Sequence, residues 1–170
     1  MLDKKLNELL CDQMNFEFYS AYIYLAMSAY YTSINLNGYA NWFKIQTMEE
    51  RDHALLQMQY MLNNNAEVDF KTIAKPEHIY TAVDQPLNVS LEHERIVTQR
   101  IYNIYSVASE IKDYRTTQFL DWFVKEQGEE EKNSENNIKN YQLFGTDPKG
   151  LFLLDAEMLK RVYMPPSLVL

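Results

Sequence analysis

Glycine and proline punctuate this chain in so few places that long helices are nearly the only structure open to it. Gly38, Gly145 and Gly150 fall between long periodic segments, and Pro76 and Pro86 flank the one irregular stretch. Glycine destabilises a helix through backbone entropy and proline through its missing N–H, so the runs between them can stay helical throughout. A first helix is expected from about Asp3 to Thr32, with Leu6, Leu10, Met14, Ala21 and Tyr24 down one stripe, and a second from about Gly38 to Leu62. After Asn63-Asn64-Asn65 come about twenty residues with no clear period. Such a segment reaches at most ~70 Å, whereas a 26-residue helix is only ~39 Å long, so it can cross a whole bundle and leave the second and third helices parallel.

The third helix is expected from about Asn88 to Lys112 and the fourth from about Thr116 to Phe144, joined by a tight link at Asp113-Tyr114-Arg115. Short, long and short connections describe an all-α four-helix bundle with one crossover. A short apolar segment, about 150–163, reads as a C-terminal fifth helix with no place in a four-helix core. Its apolar side implies packing against another chain or back over its own bundle. The tail after it, Met164 to Leu170, is expected to be loosely ordered. We read 1–170 as one domain, with the bundle at about 3–144.

The formal net charge of −8 argues against a nucleic-acid binder, which needs basic groups to neutralise phosphates, and favours cations as partners. The single cysteine, Cys11, cannot pair within the chain and suits a reducing compartment. No stretch reaches the roughly 18 apolar residues of a membrane span, and the start lacks the apolar core of a signal peptide. A soluble, cytoplasmic protein without nucleic-acid or membrane partners is expected.

Several carboxylates interrupt the apolar faces. Glu17 lies between Met14 and Ala21, and Glu94 between Leu91 and Val97; Glu50 and His53 sit between Phe43 and Met61, and Gln127 and Glu130 follow Phe123. Residues three apart share one side of a helix, so Glu50 and His53 can face a single cation. Glu-x-x-His alone is a weak signal, but the spacing repeats. Glu17 to Glu50 is 33 residues and Glu94 to Gln127 is also 33, so each half of the chain reads as a glutamate followed by a three-residue pair. Unpaired, these carboxylates would repel one another and desolvation would keep some neutral; divalent cations remove both problems. The alternative is a buried cluster satisfied by tyrosines and water. Oxygen-rich ligands with one imidazole suit iron or manganese better than copper, while zinc can bind without redox chemistry.

Over nearly its whole length the chain resembles the ferritin family, and within it the bacterial non-haem ferritins. The resemblance rests on Met14-Asn15-Phe16-Glu17, Glu49-Glu50-Arg51-Asp52-His53, His93-Glu94, Trp122, Glu126-Gln127-Gly128-Glu129-Glu130-Glu131-Lys132 and Gly150-Leu151-Phe152. It implies a ferritin-like fold, a homo-oligomeric shell of twenty-four copies, and a ferroxidase activity that oxidises Fe(II) with dioxygen or hydrogen peroxide and stores a ferric mineral. It further implies that Glu17, Glu50 and His53 hold one iron, that Glu50 bridges to a second held by Glu94 and Glu130, and that Gln127 stands beside it. Tyr24 matches a tyrosine next to such a centre and, with Trp122, could supply an electron, although core packing explains both rings equally well. Glu49, Glu126 and Glu129 match a third iron site on the inner wall, against which Glu129 to Glu131 also read as a solvated acidic face.

Departures from sister families narrow the resemblance. A bacterioferritin would carry histidine in the second three-residue pair and a haem-ligating methionine after the bridging glutamate. Glu130 and Arg51 stand there instead, so no haem is expected. The basic tail of many mini-ferritins and the Cys-x-x-Cys pairs of rubrerythrins are missing. Gly128, inside the fourth helix, suggests a close approach or a bulge near the metal site. His78 is placed in the crossover, exposed, and His93 is not taken as a ligand. The complete ligand set disfavours a non-catalytic iron-storage shell, whereas the residues do not separate a dioxygen-using ferroxidase from a diiron protein devoted to peroxide removal.

Overall fold

Helix α1 (Lys4–Ser33) begins where the Asp3 side chain accepts from the Leu6 N–H at 3.2 Å, which satisfies one of the donors a helix start leaves open. It ends with Asn35 in the left-handed region at φ 61, the Leu36 N–H reaching back to the Tyr31 carbonyl at 3.0 Å. Helix α2 (Asn37–Asn63) closes in the same way around Asn65, and α3 (Gln85–Glu110) around Lys112. Helix α4 (Tyr114–Asn140) starts from Asp113, whose carboxylate accepts from the Thr116 N–H at 3.1 Å, and runs on into a π-helical turn over Tyr141–Gly145. Helix α5 spans Pro148–Met158. The computed structural model describes residues 2–77 and 79–170, and among them there is no strand. His78 lies outside the described residues.

The long connection crosses the bundle as expected. It starts beside the N-terminal half of α1, where Asn7 donates to the Glu67 carbonyl at 3.0 Å and Asn15 to the Asp69 carbonyl at 2.8 Å. It finishes beside the other end, where the Tyr31 hydroxyl donates to the Val83 carbonyl at 2.6 Å. Helices α2 and α3 are therefore parallel, and the fold is the all-α bundle with one crossover. Helix α3 begins three residues earlier than its period suggested, because Pro86 sits in the first turn, where a missing N–H costs nothing.

Helix α5 folds back on its own bundle. No side chain caps α2 locally; the Asp155 carboxylate does so from α5, accepting from the Gly38 and Tyr39 N–H groups at 2.8 and 3.0 Å. Gly38 is required at that junction, since a Cβ there would meet the Asp155 carbonyl oxygen at 1.7 Å. Leu151, Leu154 and Met158 pack on the bundle, while Phe152 and Leu153 face outward. The helix stops at Met158 rather than near 163, and the tail beyond it is not loose: Trp122 donates to the Ser167 hydroxyl at 3.0 Å and Leu168 packs on the core.

Two apolar clusters fill the bundle. One gathers Leu10, Met14, Met61, Ile101, Leu120 and Phe123; the other gathers Tyr24, Met27, Tyr31, Phe43 and Leu87. The buried polar side chains Glu17, Glu50, His53, Glu94, Gln127 and Glu130 lie between them in sequence on all four helices. No helix among the described residues is long and apolar enough to cross a membrane.

Candidate metal centre

Each bundle helix brings a polar side chain to the same level because each interrupts its own apolar stripe there. Glu17, Glu50 and His53 offer ligand atoms that all lie within 4.8 Å of one another, and all three side chains are buried. His53 Nδ1 stands 3.5 Å from Glu50 Oε2. Glu94 accepts from the Tyr24 hydroxyl and, at 3.1 Å, from Gln127 Nε2. Glu130 accepts from Gln46 Nε2 at 3.0 Å. Both Glu94 and Glu130 stand close enough to Glu50 for their charges to act on it.

Burial is the main cause of the electrostatic strain at this level. It pushes the Glu50 carboxyl well above its ordinary range, and the charges of Glu94, Glu17 and Glu130 push in the same direction. Glu130 is raised to about 8 by burial and by Glu94. Glu94 is raised to about 7 by burial, less far because Tyr24 and Gln127 donate to its charged form. Burial, Glu94 and Glu50 also raise the Tyr24 phenol, so this ring keeps its proton and remains a donor.

The donors do not satisfy the cluster. Glu17 Oε2, Glu50 Oε1, Gln46 Oε1 and Gln57 Oε1 are buried with no hydrogen-bond partner. A buried oxygen without a donor costs roughly 1–3 kcal/mol, more when charged, and a cation removes that cost for several of them together. The donor set of carboxylates with one imidazole fits Fe(II), Mn(II) or Zn(II).

Three glutamines were not singled out from the sequence. Gln46 lies one turn before Glu50 and Gln57 one turn after His53, so the pair is flanked on its own helix by donors to Glu130 and, at 3.2 Å, to Glu17 Oε1. Gln13 also donates to Glu17 Oε1, at 2.8 Å, and is itself held by Arg100, whose Nε donates to Gln13 Oε1 at 2.7 Å. Amides at core-facing positions four residues from a ligand were the available signal. His93 turns from the centre, with Nε2 2.7 Å from the Ser20 hydroxyl and its ring stacked on Phe16. Trp122 meets the His53 ring edge-on at 5.5 Å.

The three residues read as a third site do not form one cluster of this kind. Glu49 pairs with Arg161 Nη2 at 2.6 Å, Glu126 is half-buried, and Glu129 is exposed with Lys125 Nζ 3.7 Å away. Burial raises Glu49 against the pull of Arg161, and burial also raises Glu126. Gly128 is neither a close approach nor a bulge. A Cβ added there would meet nothing within 4 Å, and the π-helical turn lies downstream at Tyr141–Gly145.

The sequence profile described as Ferritin-like domain matches residues 7–144. Among curated relatives, the bacterial non-heme ferritin of Staphylococcus aureus (strain USA300) is 37% identical over 163 residues, covering 96% of this chain and 98% of the relative. That of Staphylococcus haemolyticus (strain JCSC1435) is 36% identical over the same shares. Among solved structures, an open-pore ferritin from the hyperthermophilic archaeon Archaeoglobus fulgidus superposes with a TM-score of 0.93 at 34% identity, over 95% of this chain and all 100% of that one. A humanized archaeal ferritin gives a TM-score of 0.95 at 34% identity, over 97% and 100%.

Proposed function

The chain belongs to the ferritin family, and on that premise we propose that it stores iron and oxidises Fe(II) at a two-metal centre inside its own bundle. In this reading Glu17, Glu50 and His53 hold one iron, Glu94 and Glu130 hold the other, Glu50 is shared, and Gln127 orients Glu94. The observation that carries it is that buried Glu17, Glu50 and His53 bring ligand atoms within 4.8 Å of one another while Glu17 Oε2 and Glu50 Oε1 have no hydrogen-bond partner. Iron is substrate and cargo here: the whole chain 1–170 acts as one ferritin-like domain, and the assembly, a shell of twenty-four copies in the cytoplasm, holds the ferric product as mineral.

The chemistry balances with either oxidant. Two Fe(II) each lose one electron; dioxygen takes both electrons and two protons and leaves as hydrogen peroxide. When hydrogen peroxide is the oxidant, it takes the two electrons and two protons, its O–O bond breaks and two waters form. The chain's own part is to hold the two cations side by side and to manage protons. Burial favours the protonated forms of Glu50, Glu94 and Glu130 in the metal-free protein, and binding of Fe(II) would favour release of those protons. Tyr24 fixes Glu94 through its hydroxyl, and in this reading it is the candidate electron donor. A third iron at Glu49, Glu126 and Glu129 belongs to this reading only where Glu49 is free of Arg161.

Stopped-flow absorbance after mixing the metal-free protein with two Fe(II) per chain in air-saturated buffer tests it. A fast ferric phase in the wild type that Glu50→Ala abolishes is expected; oxidation no faster than in buffer would leave a storage shell without a catalytic centre. Initial rates with dioxygen and with hydrogen peroxide at equal Fe(II) then identify the oxidant.

A further inference from the structure

Beyond α5 the chain does not leave the molecule. It turns onto the seam between α2 and α4 and is fastened there at successive points. Asn41 Nδ2 donates to the carbonyls of Met158, Leu159 and Arg161 at 3.5, 3.4 and 3.0 Å. The Arg161 guanidinium lies 4.0 Å over the Trp42 ring, donates from Nη1 to the Trp42 carbonyl at 3.2 Å, and donates from Nη2 to Glu49 Oε2 at 2.6 Å. The Tyr163 hydroxyl donates to Asp52, and Ser167 accepts from Trp122, whose ring packs against His53.

The Arg161–Glu49 pair is not a casual surface contact. Both side chains keep less than a fifth of their exposure, at 17% and 18%, and the guanidinium is fixed on three sides by a ring, a carbonyl and a carboxylate. A planar, always-charged group stacked on an aromatic face is held with little freedom to lose. The carboxylate it holds is the sequence neighbour of Glu50 and lies near enough to Glu126 to feel its charge. Arg161 is the basic side chain paired with Glu49, whereas Glu126 feels the charges of His53 and Lys125. The tail thus delivers a fixed positive charge to the acidic position beside the centre, on the carboxylate that a third cation would need.

We infer that the C-terminal segment 159–168 is an internal counter-ion strap, in which Arg161 fills the third cation position at Glu49 and limits each chain to the two metal ions of the buried centre. The inference rests on the two-metal reading of Glu17, Glu50, His53, Glu94 and Glu130. It makes Arg161 the residue that sets metal stoichiometry: a third ion binds at Glu49 only after the guanidinium has left.

Zn(II), which has no redox chemistry to complicate the count, is the probe. Equilibrium dialysis of the assembled, metal-free protein, with anomalous diffraction from zinc-soaked crystals, is applied to the wild type, Arg161→Ala, Arg161→Gln and Arg161→Ala combined with Glu49→Gln. The expected result is zinc at Glu50 and His53 but none at Glu49 in the wild type. Each Arg161 variant gains one further zinc per chain, with density at Glu49, and the double variant loses that gain. Using two replacements at position 161 keeps the test usable if one of them disturbs the fold. Zinc at Glu49 in the wild type, or no gain in either Arg161 variant, overturns the inference and leaves the two-metal centre intact. No zinc at Glu50 and His53 in any protein overturns the two-metal reading and the inference with it, a failure seen at a different place in the same maps.

Discussion

Replacing Glu130 with glutamine should make the metal-free protein more stable, because the wild type holds a carboxylate where burial and Glu94 oppose its charge. The Glu130 pKa rises from an ordinary 4.5 to about 8. The folded state then binds more protons than the unfolded one across that interval, so the Glu130 contribution is fully present below the unfolded value and is lost as pH rises through the folded value. At ~1.4 kcal/mol per unit the ceiling is roughly 5 kcal/mol. Glu50, Glu94 and Glu130 share the load, and solvent relaxation reduces it, which leaves about 2 kcal/mol for one substitution. Glutamine keeps the acceptor for Gln46 Nε2 and removes the charge. For a chain of this size 2 kcal/mol corresponds to about 4–8 °C in melting temperature. Calorimetry of both metal-free proteins should show the wild type losing stability between about pH 4.5 and pH 8 more steeply than Glu130→Gln, the variant melting higher at the upper pH. Zinc should stabilise the wild type more than the variant, which has lost a ligand. A variant that melts at or below the wild type at the upper pH would refute the account of the metal-free cluster as a store of charge repulsion.

Gln57→Leu removes a donor to Glu17 while Gln13 remains, and zinc affinity at the centre should fall roughly 10-fold in a chelator competition; unchanged affinity would make Gln57 a packing residue only. Gly128→Ala places a methyl group in open space within a helix, so thermal denaturation should report a gain of about 0.5–1 kcal/mol, and a loss would mean that another chain uses that surface. Gly38→Ala drives a Cβ into the Asp155 carbonyl, so α5 should be released and stability should fall by about 2 kcal/mol or more, read as a lower melting temperature and faster proteolysis after Met158.

What the sequence made legible follows from which forces are local. Helix extents, the crossover and the four ligand-bearing levels could be read because a carboxylate on an apolar stripe violates a periodicity that nearby residues define, and the 33-residue repeat related two such violations. Gln13, Gln46 and Gln57 escaped notice for the same reason in reverse: an uncharged amide in a core position carries a weak signal, and its role depends on which carboxylate another helix presents to it. The tail was illegible because nothing near Arg161 in sequence specifies its partners. Trp42 and Glu49 lie more than a hundred residues earlier, and only the docking of Asp155 on the start of α2 brings the tail alongside them. The same dependence on distant partners governs the carboxylates Glu49, Glu126 and Glu129. The resemblance groups Glu49 on α2 with Glu126 and Glu129 on α4, yet Glu49 is held by the tail, Glu126 is raised by burial and Glu129 lies exposed beside Lys125. Glu49 also feels the charge of Glu126, so in the proposal made above the number of cations bound there depends on whether the end of the chain holds Glu49.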